Sequence, residues 1–215
     1  MPTVPFDTFL FDLDGTLIDS VGDLTIAVNL LRAELDLAPL EISRVREFVG
    51  DGAAMLAKRS LPEGAFSEER LERFLTFYGE NLRKKTIVYP GIPEFLEMHR
   101  GEKMAVVTNK PYRFSIELLE GFGLLSYFPV VFGGESCETK KPDPAPVRHA
   151  LDSLGSHPAT AVFIGDHHTD LRAGRAAGVR TCFCAYGIGH DGGIPYDFRA
   201  ETPADLSRLF PAEPR

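Results

Sequence analysis

Neither an excess of positive charge nor a long apolar run occurs in this chain, and tryptophan is absent altogether. With 23 Lys and Arg against 31 Asp and Glu, the formal charge is -8. That balance leaves no footprint for a polyanion, so nucleic acid and anionic membrane surfaces are not expected as partners. An anionic small molecule would need a local positive pocket. No run reaches the ~18 apolar residues of a membrane span, and Met1 to Leu10 lacks the basic-then-apolar pattern of an export signal. A cytoplasmic location is therefore expected. Cysteine is scarce, with Cys137, Cys182 and Cys184 alone. An odd number, two of them alternating within an apolar segment, reads as reduced, buried thiols, and it offers no four-ligand zinc set. The missing tryptophan excludes nothing.

What is present is the composition of an ordinary globular protein, 44% hydrophobic and 25% charged over 215 residues, enough for one well-buried core carrying a small insertion. Five short apolar runs end in Gly, Pro or polar clusters and read as buried strands: Thr8 to Phe11, Met104 to Val107, Val130 to Phe132, Ala161 to Ile164 and Thr181 to Ala185. Helical patterns separate the later ones, with Phe114, Leu118 and Leu119 on one face of Pro111 to Gly121, and Val147, His149, Ala150 and Leu151 on one face of Pro144 to Leu154. Such alternation predicts an α/β fold with a Rossmann-like parallel sheet. From about Ser20 to Lys85 it stops. Leu24, Val28, Leu31 and Leu35 recur at helical spacing, as do Leu71, Phe74, Leu75, Tyr78 and Leu82, with Ser67 as a natural N-cap. The expected organisation is a catalytic core formed by residues 1–18 and 87–215, with a helical-bundle cap domain at 19–86. The glycine-rich tail beyond Tyr186 reads as a loop and a short closing element.

In open α/β sheets ligands bind beyond the carboxyl ends of the strands. Here those ends are polar: Asp12, Asp14, Gly15 and Thr16 follow the first run, Thr108, Asn109 and Lys110 the second, Lys140 and Lys141 the third, and Asp166 with Asp170 the fourth. Two aspartates two apart can divide labour, one attacking phosphorus and the other handling a proton. Converging carboxylates require a cation, and partly hydrated oxygen ligands match Mg²⁺, with Asp166 as the remaining ligand. Thr108 offers a hydroxyl to phosphoryl oxygens, and a lysine beside Pro142 would neutralise their charge. Simpler readings exist for each piece. The aspartate pair could belong to a calcium loop, but the glycine required at the sixth position from Asp12 is Leu17. Thr108 and Asn109 could cap a helix begun by Pro111, and Lys141 could face solvent. His167 and His168, being adjacent, are expected to point apart and to stay out of any metal site. Arg44, Arg46, Lys58 and Arg59 are expected on solvated helix faces, with one or two able to reach an anionic substrate.

Together these residues resemble the haloacid dehalogenase superfamily, whose phosphatases carry the same four signatures in the same order with a helical cap after the first. The opening Phe11 to Leu17 with Asp19 and Ser20, then Thr108 to Lys110, Lys141 with Pro142, and Gly165, Asp166 and Asp170 carry the likeness. The resemblance implies that Asp12 is the nucleophile and forms an aspartyl phosphate, and that Asp14 is the acid and base. It places Mg²⁺ among Asp12, the Asp14 carbonyl and Asp166, with Asp170 outside the direct ligands or reaching the ion through water. Thr108 and Asn109 would bind the phosphoryl group with Gly15 and Thr16, and Lys141, rather than Lys140, would balance charge. Within the superfamily the chain is similar to bacterial phosphoglycolate phosphatases, in Asp19 to Leu24 and in the cap loop Gly50, Asp51, Gly52, which would face the substrate. The phosphomutase relatives carry an arginine where this chain has Ala53 or Ala54 and a histidine where it has Leu24. Asp14 opposes both dehalogenase chemistry and a long-lived receiver-type phosphoaspartate. The implied substrate is a small phosphorylated metabolite, 2-phosphoglycolate first, with sugar phosphates, pyrophosphate or phosphomutase chemistry as alternatives. His167 departs from the small Ser or Asn usual at its position.

Overall fold

The computed structural model describes residues 6–212. In chain order the elements are β1 (Thr8–Phe11), β2 (Ile18–Asp19), α1 (Val21–Ala33), α2 (Ile42–Arg46), α3 (Ala53–Arg59), α4 (Glu68–Asn81), β3 (Ile87–Val88), α5 (Ile92–Met98), β4 (Lys103–Val107), α6 (Tyr112–Gly121), β5 (Val130–Phe132), α7 (Ala145–Leu154), β6 (Ala161–Gly165), α8 (His168–Ala177), β7 (Arg180–Cys184), β8 (Phe198–Ala200) and α9 (Asp205–Leu209). Six strands form one sheet in the order β5-β4-β1-β6-β7-β8, every neighbouring pair parallel. The strand order reverses at β1, flanked by β4 on one side and β6 on the other, and at such a switch point the loops splay and leave a crevice.

The strands are short and apolar because both faces are covered. Phe9 and Phe11 point to one side, packing with Ile92, Phe95 and Leu96 of α5 and with Phe128. Leu10 points to the other, against Val147 and Leu151 of α7, Ala173 of α8 and Phe163 of β6. His149 is exposed, so it lies off the buried face of α7 that its spacing suggested. The closing element of the tail comprises β8, which adds an edge strand, and α9.

α1 to α4 contain no strand and build a separate apolar cluster around Leu24, Val28, Leu31, Phe48, Phe74 and Tyr78. The Ser67 hydroxyl caps α4 by accepting from the Arg70 amide, with Glu68 and Glu69 in the first turn at the positive end of the helix dipole. Two short connections join this bundle to the sheet body. β2 and β3 pair antiparallel, Ile18 opposite Val88 and Asp19 opposite Ile87. Beside them the fully buried Asp23 carboxylate accepts from the Lys85 amide at 2.8 Å, the Thr86 amide at 2.9 Å and the Thr86 hydroxyl at 2.6 Å. Cys182 and Cys184 are buried free thiols as expected, whereas Cys137 is partly exposed at the surface.

Asp23 is the point where the entry to the bundle grips the exit. Asp23→Ala should lower the unfolding free energy by about 2–3 kcal/mol, because it strands the buried Thr86 amide and hydroxyl and frees the partly buried Lys85 amide. Urea unfolding followed by circular dichroism measures this; a change under about 0.5 kcal/mol would mean water replaces the carboxylate there.

Candidate active site

The ladder continues one residue past β1 and β4, the Asp12 amide donating to the Ile164 carbonyl and the Thr108 amide to the Phe132 carbonyl, both at 2.9 Å. Asp12 and Thr108 are thus fixed by the sheet itself at the switch point. Just after, Gly15 adopts φ +82° so the chain can fold back and let the Gly15 amide donate to the Ile18 carbonyl. A Cβ at Gly15 would lie 2.0 Å from the Asp166 Oδ2, so only glycine admits the Asp166 carboxylate. That carboxylate accepts from the Ile188 and Gly189 amides at 2.9 and 2.8 Å and, more weakly, from the Thr16 hydroxyl at 3.4 Å.

Carboxylate oxygens of Asp12, Asp166 and Asp170 lie within 4.8 Å of one another, all three residues buried. Lys141, 2% exposed, sends its ammonium to 2.9 Å from Asp12 Oδ1 and 2.7 Å from Asp170 Oδ1. The distances are those of ion pairs, yet neither oxygen nor the ammonium has a directed hydrogen bond. Burial pulls the Lys141 ammonium down, but Asp12 and Asp170 outweigh it and hold the group above its ordinary value. Burial pushes Asp12 up to about 6, with Lys141 opposing and Asp170 adding to the rise. Asp166 is driven well above the carboxylate range by burial and by its two acidic neighbours, against the pull of the Gly189 and Ile188 amides. One ammonium therefore does not compensate three carboxylates. A hard divalent cation fits this donor set: oxygen ligands only, converging and under-neutralised. The carboxylates that converge are those of Asp12, Asp166 and Asp170, whereas the Asp14 side chain is turned elsewhere.

Asp14 faces the cavity between the bundle and the sheet. Its carboxylate accepts from the Ser20 hydroxyl at 2.5 Å and is straddled by the Lys110 ammonium, 3.0 Å from both oxygens. Lys110 also donates to the phenol of Tyr78 on α4 at 2.6 Å. The Lys110 to Tyr78 bond ties α4 to the loop after β4. Thr108 lies beside Asp12, and its hydroxyl accepts from the Lys110 amide at 3.2 Å instead of capping α6, whose first turn has no side-chain cap. The Asn109 side-chain amide donates to the carbonyls of Gly50 and Lys141 at 3.1 and 2.9 Å. Asn109 thus braces the cap loop against the Lys141 loop.

A narrow cavity lies above Asp12, Asp14 and Thr108. Its roof is apolar, with Leu24, Val49, Leu56, Phe74 and Leu75, and the glycines Gly50 and Gly52 form part of the wall. Asp51 is not among the lining residues; its carboxylate pairs with Arg59 at 2.5 Å, and its carbonyl accepts from the exposed Lys140 at 3.1 Å. Arg44 pairs with Glu47, and Arg46 lies 3.8 Å from Asp19. None of Arg44, Arg46, Lys58 and Arg59 lines the cavity.

The histidines overturn one expectation. His167 and His168 do not point apart: their ring centroids are 4.1 Å apart. His167 is extended, at φ -122° and ψ 151°, while His168 opens α8. The chain turns between them, so the side chains converge. Burial, aided by His168 and His190, pushes His167 down to about 4.

Lys110, Ser20 and Tyr78 are the polar groups of the site whose partnership a linear reading misses. Lys110 was visible as part of the second strand-end signature, but nothing in the sequence says that it spans to Asp14.

Compared with known proteins, the chain matches the family of haloacid dehalogenase-like hydrolases over residues 9–184. It is 39% identical over 216 residues to a phosphoglycolate phosphatase of Pseudomonas putida, spanning 94% of this chain and 78% of that one. To a phosphoglycolate phosphatase of Psychrobacter arcticus it is 41% identical over 215 residues, spanning 94% and 92%. The crystal structure of a predicted phosphoglycolate phosphatase from Haemophilus somnus superposes with a TM-score of 0.87 at 30% identity, covering 95% of this chain and 97% of that one.

Lys141 is the cation that allows Asp12 and Asp170 to share a buried rim. Lys141→Met should cost about 3–5 kcal/mol of stability, and magnesium should recover part of the loss by occupying the freed carboxylates. Denaturant unfolding with and without the ion tests this. An unchanged midpoint in the metal-free variant would show that the carboxylates are neutral without Lys141.

Proposed function

The chain belongs to the haloacid dehalogenase-like hydrolases, and from that premise we propose that it hydrolyses a small phosphomonoester through Asp12, with 2-phosphoglycolate the first candidate substrate. The observation that carries the reading is the buried set of Asp12 and Asp166, which follow the adjacent strands β1 and β6, with Asp170 of α8 and Lys141 from the loop after β5, facing an Asp14 held separately by Lys110 and Ser20.

The two aspartates occupy different environments, which suits different tasks. An Asp12 oxygen forms a bond to phosphorus as the ester P–O bond breaks, and Asp14, having taken up a proton from solvent in the substrate complex, delivers it to the departing oxygen. Asp14, now ionised, takes a proton from water, whose oxygen attacks phosphorus and displaces Asp12 to release inorganic phosphate. Asp12 and Asp166, with the Asp14 carbonyl, would hold Mg²⁺, which when bound offsets negative charge on the phosphoryl oxygens. Asp170 orients Lys141 and would lie beside the ion. Thr108 donates its hydroxyl to the phosphoryl group, and Lys141 balances its charge. Residues 19–86 act as a cap that excludes bulk water and selects the leaving group, Tyr78 gripping Lys110 when the cap is closed.

One feature of the cavity favours a second substrate. Among the described residues, Lys110 is the only cation lining it, and that ammonium is engaged by Asp14 and Tyr78. The glycolate carboxylate would need a cation of its own, whereas an uncharged leaving group such as a sugar hydroxyl would not. Phosphate release from 2-phosphoglycolate, sugar phosphates and pyrophosphate, ranked by kcat/KM, separates these readings.

In the same assay Asp12→Asn should lose at least about 10³-fold in kcat with the fold intact, and a chelator should stop the wild type. Retained turnover in Asp12→Asn would remove the proposed nucleophile. A pH test follows from Asp12, whose pKa is raised from 3.8 to about 6. Its ionisation in the metal-free fold costs stability, a penalty absent below the unfolded value and complete above about 6. Thermal stability without metal should therefore fall through that window, and the magnesium-induced rise in Tm should grow through it. A magnesium increment independent of pH would contradict the assignment of Asp12 as a ligand.

A further inference from the structure

His167, His168 and His190 each bring a ring nitrogen within 4.8 Å of the other two. The three come from two segments: His167 and His168 from the start of α8, and His190 from the loop after β7. Ring centroids are 5.3 Å apart for His167 and His190 and 5.1 Å for His168 and His190. We propose that this cluster is a second cation site, distinct from the carboxylate site, for an imidazole-preferring transition-metal ion such as Zn²⁺.

Ligand chemistry separates the two sites. The carboxylate set offers only oxygen, suited to a hard ion, whereas three imidazoles select Zn²⁺, Ni²⁺ or Cu²⁺ and leave further positions to water. The positions of the nitrogens favour a ligand. His168 Nδ1 is buried and has no hydrogen-bond partner. His167 is 5% exposed, and its Nδ1 lies 3.0 Å from the Thr169 hydroxyl, an outer contact that fixes the ring and leaves Nε2 as the nitrogen for an ion. Space for the rings is preserved by glycine: a Cβ at Gly50 or Gly189 would come within 2.8 Å of the His167 ring. Burial grades outward from His167 through half-buried His168 to exposed His190, which gives an ion a path from solvent.

The site would also communicate with the carboxylates. His167 follows Asp166, and its amide donates to Asp170 Oδ2 at 2.9 Å. His190 follows Ile188 and Gly189, whose amides hold Asp166. An ion held by the imidazoles bridges the two segments that position Asp166.

The test uses the whole chain, stripped by chelator and then kept in excess magnesium so that the carboxylate site is filled. Zn²⁺ titrated against a chromophoric competitor should bind at about one equivalent, and Co²⁺ in its place should give the visible absorption of nitrogen-ligated cobalt. Asp12→Asn should retain this equivalent. His190→Gln, at an exposed position that does not threaten the fold, should weaken it at least about tenfold, and His168→Ala should do the same. The proposal is overturned if no Zn²⁺ binds in excess magnesium, or if the bound equivalent is lost in Asp12→Asn and indifferent to both histidine changes.

Discussion

Three carboxylates within 4.8 Å of one another, taken out of water, are the constraint around which this rim is organised. Burying one charge is costly, and burying three like charges together is untenable without compensation. The chain compensates in layers. Lys141 stands between Asp12 and Asp170, the amides of Ile188 and Gly189 take one oxygen of Asp166, and the amide of His167 takes one of Asp170. The charge that remains unbalanced suits a divalent cation. The tolerance of the fold for that imbalance comes from the sheet, whose backbone ladder fixes the first of these groups before any side chain is placed.

The same logic explains why Asp14 is held apart from its neighbour two residues earlier. Were its carboxylate to join the cluster, a fourth negative charge would crowd one ammonium. Instead Gly15 turns the chain, and Lys110 and Ser20 draw Asp14 toward the bundle. Since Lys110 also binds Tyr78 of α4, the closed position of the bundle and the placement of Asp14 are linked through one ammonium. Burial raises the Tyr78 phenol well above its ordinary value, and the Asp14 and Asp23 carboxylates add to the rise, so it stays neutral and accepts from Lys110.

The strands and the polar residues at their ends could be read directly, because a buried parallel strand is a short apolar run and whatever follows it is displayed at the rim. Asp12, Thr108 and Asp166 are legible for that reason. A charge-balancing lysine beside Pro142 is legible in the same way, but the choice of Lys141 over Lys140 comes only through the resemblance, since a lysine before a proline carries no sign of burial. The brace formed by Asn109, the straddling of Asp14 by Lys110 and the grip of Tyr78 depend on contacts between residues 32 to 96 positions apart, which no local pattern records. The convergence of His167 and His168 is hidden for a related reason: side chains of adjacent residues diverge within a strand or a helix, but these two straddle a boundary between extended and helical backbone.

The cavity separates chemistry from selection. Its floor belongs to the strand ends and carries the charged groups; its roof belongs to the helices and is apolar. An ester entering it would meet fixed charges at its phosphoryl end, where charge redistributes during transfer, and an apolar, water-poor surface around its leaving group. Such a roof discriminates by shape and by the desolvation of polar substituents, and it discriminates weakly between leaving groups differing by a methylene. A carboxylate on the leaving group is a stronger feature to read, but only if a cation is free to read it. Lys110 is bound twice over, so recognition of an anionic leaving group requires either that Tyr78 release Lys110 when the cap moves or that the exposed Lys140, beside the Asp51 carbonyl at the cap loop, swing inward. Where no other cation reaches the cavity, Asp14 and a carboxylate on the leaving group would compete for the one Lys110 ammonium.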